Sequence, residues 1–142
     1  MKYFKPDEFG GDFDLLSHDL KYKLDQFREA WGEPVMVSPA PGAVARRLGY
    51  DSKSQHNIDR WGECRAVDVM PFEMNTVADR VRAFNLSVQV GFTGIGIAPV
   101  WQPRPGMHLD VRKDRTPGKP AKWGYARRDG RQVIVAIDEV LK

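Results

Sequence analysis

The sequence predicts a small single-domain α+β fold with a central, mainly antiparallel sheet and helices packed on it. Two observations lead to this prediction: the clearest helical pattern comes early in the chain, whereas the later apolar segments are short and are joined by short loops. Strands joined by short loops pair antiparallel, because a parallel pair needs a long crossover connection. The 142 residues fit one domain, which we expect to span residues 1–142.

The first part of the chain predicts an arm, a helix and a strand. Residues 1–12 contain a proline and a glycine pair, which interrupt regular structure and indicate an N-terminal arm. Over residues 15–31, leucine and aromatic side chains recur every three or four positions, which predicts an amphipathic helix ended by Gly32. The apolar residues 34–38 then indicate a short buried strand.

The middle of the chain predicts a long polar loop followed by three regular elements. Residues 43–63 are polar with little periodicity, which indicates a loop with one helical turn at residues 44–48. A strand is predicted over residues 65–70, a helix over 75–86 and a second strand over 88–92.

The last part of the chain predicts the rest of the sheet. Residues 94–99 and 107–112 are expected to be strands. The Asp129-Gly130 pair between two strand-like segments is a strong hairpin signal, so residues 124–142 are interpreted as a C-terminal hairpin extension. A final helical turn is expected at residues 137–141.

Composition limits the classes of function. Cys64 is the only cysteine, so an intrachain disulfide and a cysteine-based zinc site are excluded. No segment approaches the ~20 apolar residues of a membrane span, and no ordinary export signal is expected. Residues 112–131 hold eight Lys or Arg residues against two Asp, which favours either an anionic polymer or a solvated surface. Nucleic acid is the less expected partner, because this segment lacks a clear platform of interleaved aromatic residues.

Polar residues in two apolar segments predict a metal site. Two of the three histidines, His56 and His108, lie in or beside such segments, and Asp68 stands within one. A buried aspartate is costly unless it is paired or bound to a metal. Two histidines and one aspartate can hold a zinc ion and leave one position open for water. Because alternate residues of a strand share a face, Asp110 is expected beside His108, where it would either reach that water or orient a ligand.

Ordinary structural interpretations of these residues remain open at this point. His108 lies between two apolar residues and would also fit as a hydrogen-bonded core residue. Asp68 could pair with Arg65, and Asp110 could pair with Arg112.

Three short motifs resemble those of a known family. They occur in the order Ser54-Gln55-His56 with Gly62 and Ala66-Val67-Asp68, then Gly94-Ile95-Gly96-Ile97, then His108-Leu109-Asp110-Val111-Arg112. The first resembles the Ser-x-His-x-x-Gly-x-Ala-x-Asp signature of the zinc D-alanyl-D-alanine carboxypeptidases and L-alanoyl-D-glutamate endopeptidases, the Hedgehog-type metallopeptidases. The other two are similar to segments of its bacterial and phage branch. The likeness covers roughly residues 3–125 and implies the Hedgehog-type fold.

The resemblance also implies roles for individual residues. It implies one zinc ion per chain, held by His56, Asp68 and His108. Several relatives carry an acid three residues before the last of these histidines, where this chain has Pro105. Asp110 is therefore the preferred general base.

Other positions complete the implied site. Glu63 is the second candidate for the general base. The spacing between His56 and Asp68 exceeds that of the family signature, which indicates an inserted loop over residues 57–61 at the edge of the site. For substrate binding the expected residues are Arg46, Arg47, Ser54 and Gln55.

The function expected from this resemblance is zinc-dependent hydrolysis of peptide bonds in peptidoglycan stem peptides, as a carboxypeptidase or an endopeptidase. The alternative is a zinc-stabilised binding module of the same fold without catalysis. A monomeric phage endolysin or related cell-wall hydrolase, without a membrane partner, is expected. Such a protein is synthesised in the bacterial cytoplasm and reaches the wall through phage lysis, within a virion or by non-classical export.

Overall fold

A single mixed sheet of six strands forms the centre of the protein in the computed structural model, which describes residues 1–142. The strands are β1 (Val35–Val37), β2 (Ala66–Pro71), β3 (Gly94–Ala98), β4 (Gly106–Asp110), β5 (Ala121–Arg128) and β6 (Arg131–Val135). Their order across the sheet is β1-β2-β4-β3-β5-β6, and only the β3–β5 pair is parallel. The predicted α+β class with a mainly antiparallel sheet is confirmed.

Three α-helices accompany the sheet: α1 (His18–Trp31), α2 (Ile58–Trp61) and α3 (Val77–Val90). The helix predicted from residue 15 begins three residues later, because Ser17 caps it by accepting a hydrogen bond from the Leu20 amide at 3.1 Å. Gly32 ends α1 in the left-handed region at φ 83°, as predicted. None of the helices has the length and apolar character needed to cross a membrane.

The end of α3 differs from the prediction. Residues 88–92 were expected to form a strand, but the helix continues to Val90 and ends at Gly91, with φ 103°. At its start, Thr76 and Asp79 form a reciprocal capping box. Within the helix, the buried Ser87 hydroxyl donates to the Ala83 carbonyl at 2.8 Å. Packing of the helix on the protein outweighs the strand preference of its valines.

The polar segment 43–63 contains one helical turn, and the prediction placed it wrongly. The turn is α2 rather than residues 44–48. Asn57 begins α2 by accepting a hydrogen bond from the Asp59 amide at 3.2 Å. The residues expected to form an inserted loop are therefore a capped helical turn.

Backbone and amide hydrogen bonds hold the remainder of this segment in place. The buried side-chain amide of Asn57 donates to the backbone carbonyls of Gly49 at 2.7 Å and Ser52 at 2.8 Å. The backbone N–H of Arg46 donates to the backbone carbonyl of His56 at 2.8 Å. These bonds fix His56 although it lies outside any regular element.

Both ends of the chain join the main structure. Phe4 and Phe9 of the predicted N-terminal arm are buried in the hydrophobic core. The predicted hairpin is present, with both Asp129 and Gly130 in the left-handed region. Its first strand begins at residue 121 and pairs with β3 over residues 121–124. The predicted boundary at residue 124 therefore falls inside a strand of the central sheet.

Side chains of the central strands point alternately to two faces of the sheet, one apolar and one polar. The odd-numbered residues of β2, β3 and β4 belong to the hydrophobic core: Val67, Val69, Ile95, Ile97, Met107 and Leu109. The even-numbered residues place Asp68 opposite His108, and His108 opposite Gly96. Because side chains alternate along a strand, the polar residues collect on the face away from this core.

Candidate metal centre

Three buried side chains meet on the polar face of the sheet. Asp68 and His108 face each other across β2 and β4, and His56 reaches them from the polar segment. The Asp68 Oδ1 atom lies 3.3 Å from His56 Nε2 and 3.3 Å from His108 Nδ1. The exposed fractions of His56, Asp68 and His108 are 3%, 9% and 7%. Water therefore has little access to these groups.

In each imidazole, the nitrogen that faces away from Asp68 (the far nitrogen) is hydrogen-bonded to an oxygen atom. His56 Nδ1 lies 2.5 Å from the Val44 carbonyl oxygen, and His108 Nε2 lies 2.6 Å from Asp110 Oδ2. A carbonyl or a carboxylate can only accept, so each far nitrogen carries the hydrogen. In the neutral form of each ring, the near nitrogen then directs its lone pair towards Asp68. In metal sites too, a histidine binds the ion through one nitrogen while the other donates a hydrogen bond.

Two of the three distances between the donor atoms match those between the ligands of a zinc ion. With both imidazoles neutral, the buried Asp68 Oδ1 atom has no hydrogen-bond donor, so its partner is either a proton on one of the rings or a metal ion. Zinc bonds of about 2.0–2.1 Å in a tetrahedral arrangement separate neighbouring ligand atoms by about 3.3 Å. Both distances to Asp68 Oδ1 have this value, and all three atoms lie within 4.8 Å of one another. His56, Asp68 and His108 thus lie close enough to bind a metal ion.

The carboxylates around His108 favour a positive charge on that ring. Burial favours the neutral acid at Asp68, but the two imidazoles outweigh it and lower the pKa of that carboxyl to about 2. Burial also opposes charge on His108, yet Asp110 and Asp68 raise its pKa to about 9. At neutral pH, the protein without metal therefore holds a proton on His108, and a metal ion would replace that proton.

Asp110 orients His108 and is not placed as a general base. Its side chain is fully buried, and its Oδ2 atom accepts from His108 Nε2 and from Arg112 Nη2, each at 2.6 Å. Its Oδ1 atom accepts from the Arg112 amide at 3.0 Å and from Nε at 2.9 Å. Burial raises its pKa, but His108 and Arg112 lower it well below the usual range. A carboxylate with both oxygens engaged in this way is a poor proton acceptor, which argues against the predicted role as base.

The two glycines of the Gly-Ile-Gly motif make room for this arrangement. A Cβ atom on Gly94 would overlap the Asp110 carboxylate. A Cβ atom on Gly96 would lie 2.6 Å from Trp123 Nε1. The Trp123 ring packs against the His108 imidazole, with 5.2 Å between the ring centroids. Because Gly94 and Gly96 carry no side chains, the polar side chains of β4 and the aromatic side chains of β5 can approach each other across β3.

Glu63, the second candidate for the base, lies elsewhere. Its Oε2 atom accepts from Arg65 Nε at 2.9 Å. It lines a separate cavity together with Ser17, Lys23 and Lys113, and no residue of the His-Asp-His cluster lines that cavity. The structure therefore does not bring Glu63 to the cluster.

Of the four expected substrate-binding residues, only Arg46 has a side chain at the cluster, because its Nη2 atom lies 3.8 Å from Asp68 Oδ2. Gln55 precedes His56, but its side chain lines another cavity together with Trp61 and Arg65, and its Oε1 atom has no hydrogen-bond partner. Arg47 instead pairs with the Asp59 carboxylate at 3.2 Å, and the Ser54 hydroxyl accepts from the His56 amide at 3.3 Å. These last two contacts stabilise the polar segment.

A cleft opens beside Asp68. It has a volume of about 290 Å³ and is lined by Ser38, Ala40, Pro41, Arg46, Asp68, Met70, Trp101, Gln102, Arg127 and Gln132. Of these, Arg127 and Gln132 were not identified from the sequence as site residues. The signal was present in β5, where Trp123, Tyr125 and Arg127 stand at alternate positions. Burial raises the pKa of Tyr125 to about 12, so this phenol stays protonated near the site.

The chain was compared with family models, curated proteins and solved structures. None of them matches. The case for a function therefore rests on the geometry of the cluster and its cleft, together with the motifs of the sequence.

Proposed function

We propose that the protein is a zinc-dependent hydrolase that cleaves peptide bonds in peptidoglycan stem peptides, as a carboxypeptidase or an endopeptidase. The observation that carries the proposal is the convergence of His56, Asp68 and His108 at the spacing of metal ligands, next to an open cleft. The substrate class follows from the resemblance of the three sequence motifs to those of the zinc peptidases.

The donor set favours zinc over the common hard cations. Two imidazole nitrogens and one carboxylate oxygen suit a borderline metal, whereas calcium and magnesium prefer oxygen ligands only. Structural zinc sites have four protein ligands, but this cluster supplies three. When bound, such an ion supplies a Lewis acid at the edge of the cleft.

The protein's own residues prepare this chemistry. Asp110 holds the Nε2 proton of His108, which fixes the orientation of the ring and raises the basicity of Nδ1. The Val44 carbonyl does the same for His56. The Arg46 guanidinium lies at the cleft beside Asp68, where it can stabilise negative charge that develops on a substrate carbonyl. Asp68 is the only carboxylate that lines the cleft, and it is itself a proposed metal ligand, so in this proposal no free carboxylate serves as the base and proton transfer falls to water.

Two observations favour a second candidate, a zinc-stabilised binding module without catalysis. Asp110 is saturated with hydrogen bonds, and Pro105 stands where several zinc peptidases carry an acid. A recognition module requires no proton acceptor, so these features would not impair it.

Metal content and hydrolysis together test the proposal. Elemental analysis of the purified protein is expected to find about one zinc ion per chain. Zinc-loaded protein should clear a peptidoglycan suspension and cleave a defined stem pentapeptide, as followed by mass spectrometry. Clearing and cleavage should stop with a chelator and return with added zinc.

Histidine variants provide the matched comparison. His56→Ala and His108→Ala should lose both the metal and the hydrolysis. His18→Ala removes the third histidine, which is exposed at the start of α1, and should keep both. One zinc per chain without cleavage of either substrate would favour the binding module. No zinc after supplementation would refute both candidates.

A further inference from the structure

The cleft beside Asp68 continues along the C-terminal hairpin. Trp123 of β5 is in register with Gly96 of β3, which is in register with His108 of β4. From that level, Tyr125 and Arg127 follow at alternate positions on the same face of β5. Arg127 reaches the cleft that Asp68 also lines. The hairpin thus extends the site beyond the level of the metal cluster.

Arg127 has no partner within the protein. Its guanidinium makes no ion pair, no side-chain hydrogen bond and no contact with an aromatic ring, whereas the adjacent Arg128 pairs with Glu139. The nearest acid in the cleft is Asp68, whose charge already serves the two histidines and Arg46. The far end of the cleft therefore carries an uncompensated positive charge.

The residue opposite Arg127 adds a hydrogen-bond donor. Gln132 of β6 is directly opposite Arg127, and its Oε1 atom accepts from Trp101 Nε1 at 2.7 Å. Because this bond occupies the amide oxygen, the amide nitrogen of Gln132 is left to donate into the cleft. The guanidinium of Arg127 and the amide nitrogen of Gln132 can both donate hydrogen bonds to the oxygen atoms of a carboxylate.

We propose that Arg127, supported by Gln132, binds a carboxylate of the substrate and makes the cleft selective for an acidic peptide. The inference rests on the proposed function, because it takes this cleft as the place where the peptide binds. Arg127 and Asp68 line the same cleft, so the recognised carboxylate is either an acidic side chain or the C-terminus of the bound peptide.

Peptide binding tests the proposal directly. The probe is a dye-labelled pentapeptide, Ala-D-Glu-Lys-D-Ala-D-Ala, in three forms: both carboxylates free, the side-chain carboxylate amidated, or the C-terminal carboxylate amidated. Fluorescence anisotropy of the metal-free protein, at low salt, measures binding without turnover. Amidation of one carboxylate should weaken binding about fivefold, as expected for an exposed charged pair, and the identity of that carboxylate tells whether the side chain or the terminus is read.

Two variants of the same hairpin separate this contact from general charge. Arg127→Gln should bind the free acid as weakly as the wild type binds the corresponding amide. Arg131→Gln removes the same charge from β6 but lies opposite Arg128, on the other face, and should keep the preference. Both positions are exposed, so both variants are expected to fold, which circular dichroism checks.

Several results would overturn the proposal. These are equal binding of all three peptides, no binding at millimolar concentration, an unchanged preference in Arg127→Gln, or an equal loss in Arg131→Gln. Failure of the proposed function has a different signature. If the zinc-loaded protein cleaves no peptide but the Arg127-dependent preference is present, the hydrolase proposal fails and the acidic subsite stands. If cleavage occurs with equal kcat/KM for acid and amide peptides, the subsite fails and the hydrolase stands.

Discussion

Removing the proposed zinc ion should reverse the pH dependence of the protein's stability. Without metal, Asp110 and Asp68 outweigh the opposing effect of burial and raise the pKa of His108 from 6.5 to about 9. The folded state then binds a proton more tightly than the unfolded state does. This contribution to the free energy of unfolding is complete below pH 6.5 and is lost as the pH rises through about 9.

The expected size of the effect follows from the pKa shift. One pKa unit corresponds to 1.36 kcal/mol, so the full contribution is about 3 kcal/mol, and about 2–3 kcal/mol disappear between pH 6.5 and pH 9. For an m-value of about 2 kcal/mol/M, the midpoint of urea unfolding should fall by about 1 M over this range. With metal bound, the proton on Nδ1 is displaced, and the midpoint should be constant or rise because metal binding improves with pH.

Urea unfolding of chelator-treated and zinc-loaded protein, followed by tryptophan fluorescence, measures both curves. His108→Gln should flatten the metal-free curve, and His18→Ala should leave it as in the wild type. A metal-free midpoint that stays level or rises between pH 6.5 and pH 9 would refute the idea that His108 carries the proton. A calorimetric titration with zinc at pH 7 should also release about one proton per ion, seen as a dependence of the heat on the buffer.

Three further substitutions test the roles assigned to Asp110, Gly94 and Glu63. Asp110→Asn should weaken zinc binding by about 10–100-fold, measured by competition with a chelating dye. The amide has one acceptor oxygen, so its NH2 group would face either the donors of Arg112 or the Nε2 proton of His108. Unchanged affinity would contradict the role of Asp110. Gly94→Ala should lower the free energy of unfolding by about 2 kcal/mol or more, because the new methyl group would overlap the Asp110 carboxylate, and an unaltered urea midpoint would argue against this packing. Glu63→Gln should leave kcat/KM for peptide hydrolysis unchanged, and a large fall would return Glu63 to consideration as the base.

Local patterns allowed much of the fold to be predicted. The three- and four-residue spacing in α1 depends on one buried helix face, and the Asp129-Gly130 turn depends on two left-handed residues. Each of these sequence patterns is local, because the residues that form it are the residues of the helix or the turn itself. The strand expected over residues 88–92 failed because its valines fit a half-buried helix as well as a strand, and only packing in three dimensions distinguishes the two.

The cluster was predictable for a different reason. A carboxylate within the apolar β2 strand requires a partner, and the two well-placed histidines were the obvious candidates. The role of Asp110 was harder to predict, because its saturation depends on four donor contacts that only the folded β4 strand brings together. Arg127 and Gln132 were missed because their position depends on the parallel pairing of β3 with β5, and these strands are separated in the chain by β4 and by residues 111–120, which form no helix or strand.

The alternation of side chains along β2 and β4 makes the metal site a reporter of strand register. Asp68 and His108 meet only while Val67 faces Leu109 in the adjacent row. A slip of one residue would turn the carboxylate into the apolar interior and a valine towards the cleft, so it would abolish the metal site and the core packing together. Uptake of the proposed zinc ion would therefore report the fraction of molecules whose central strands are correctly aligned, and a metal-sensitive dye could follow that alignment during refolding.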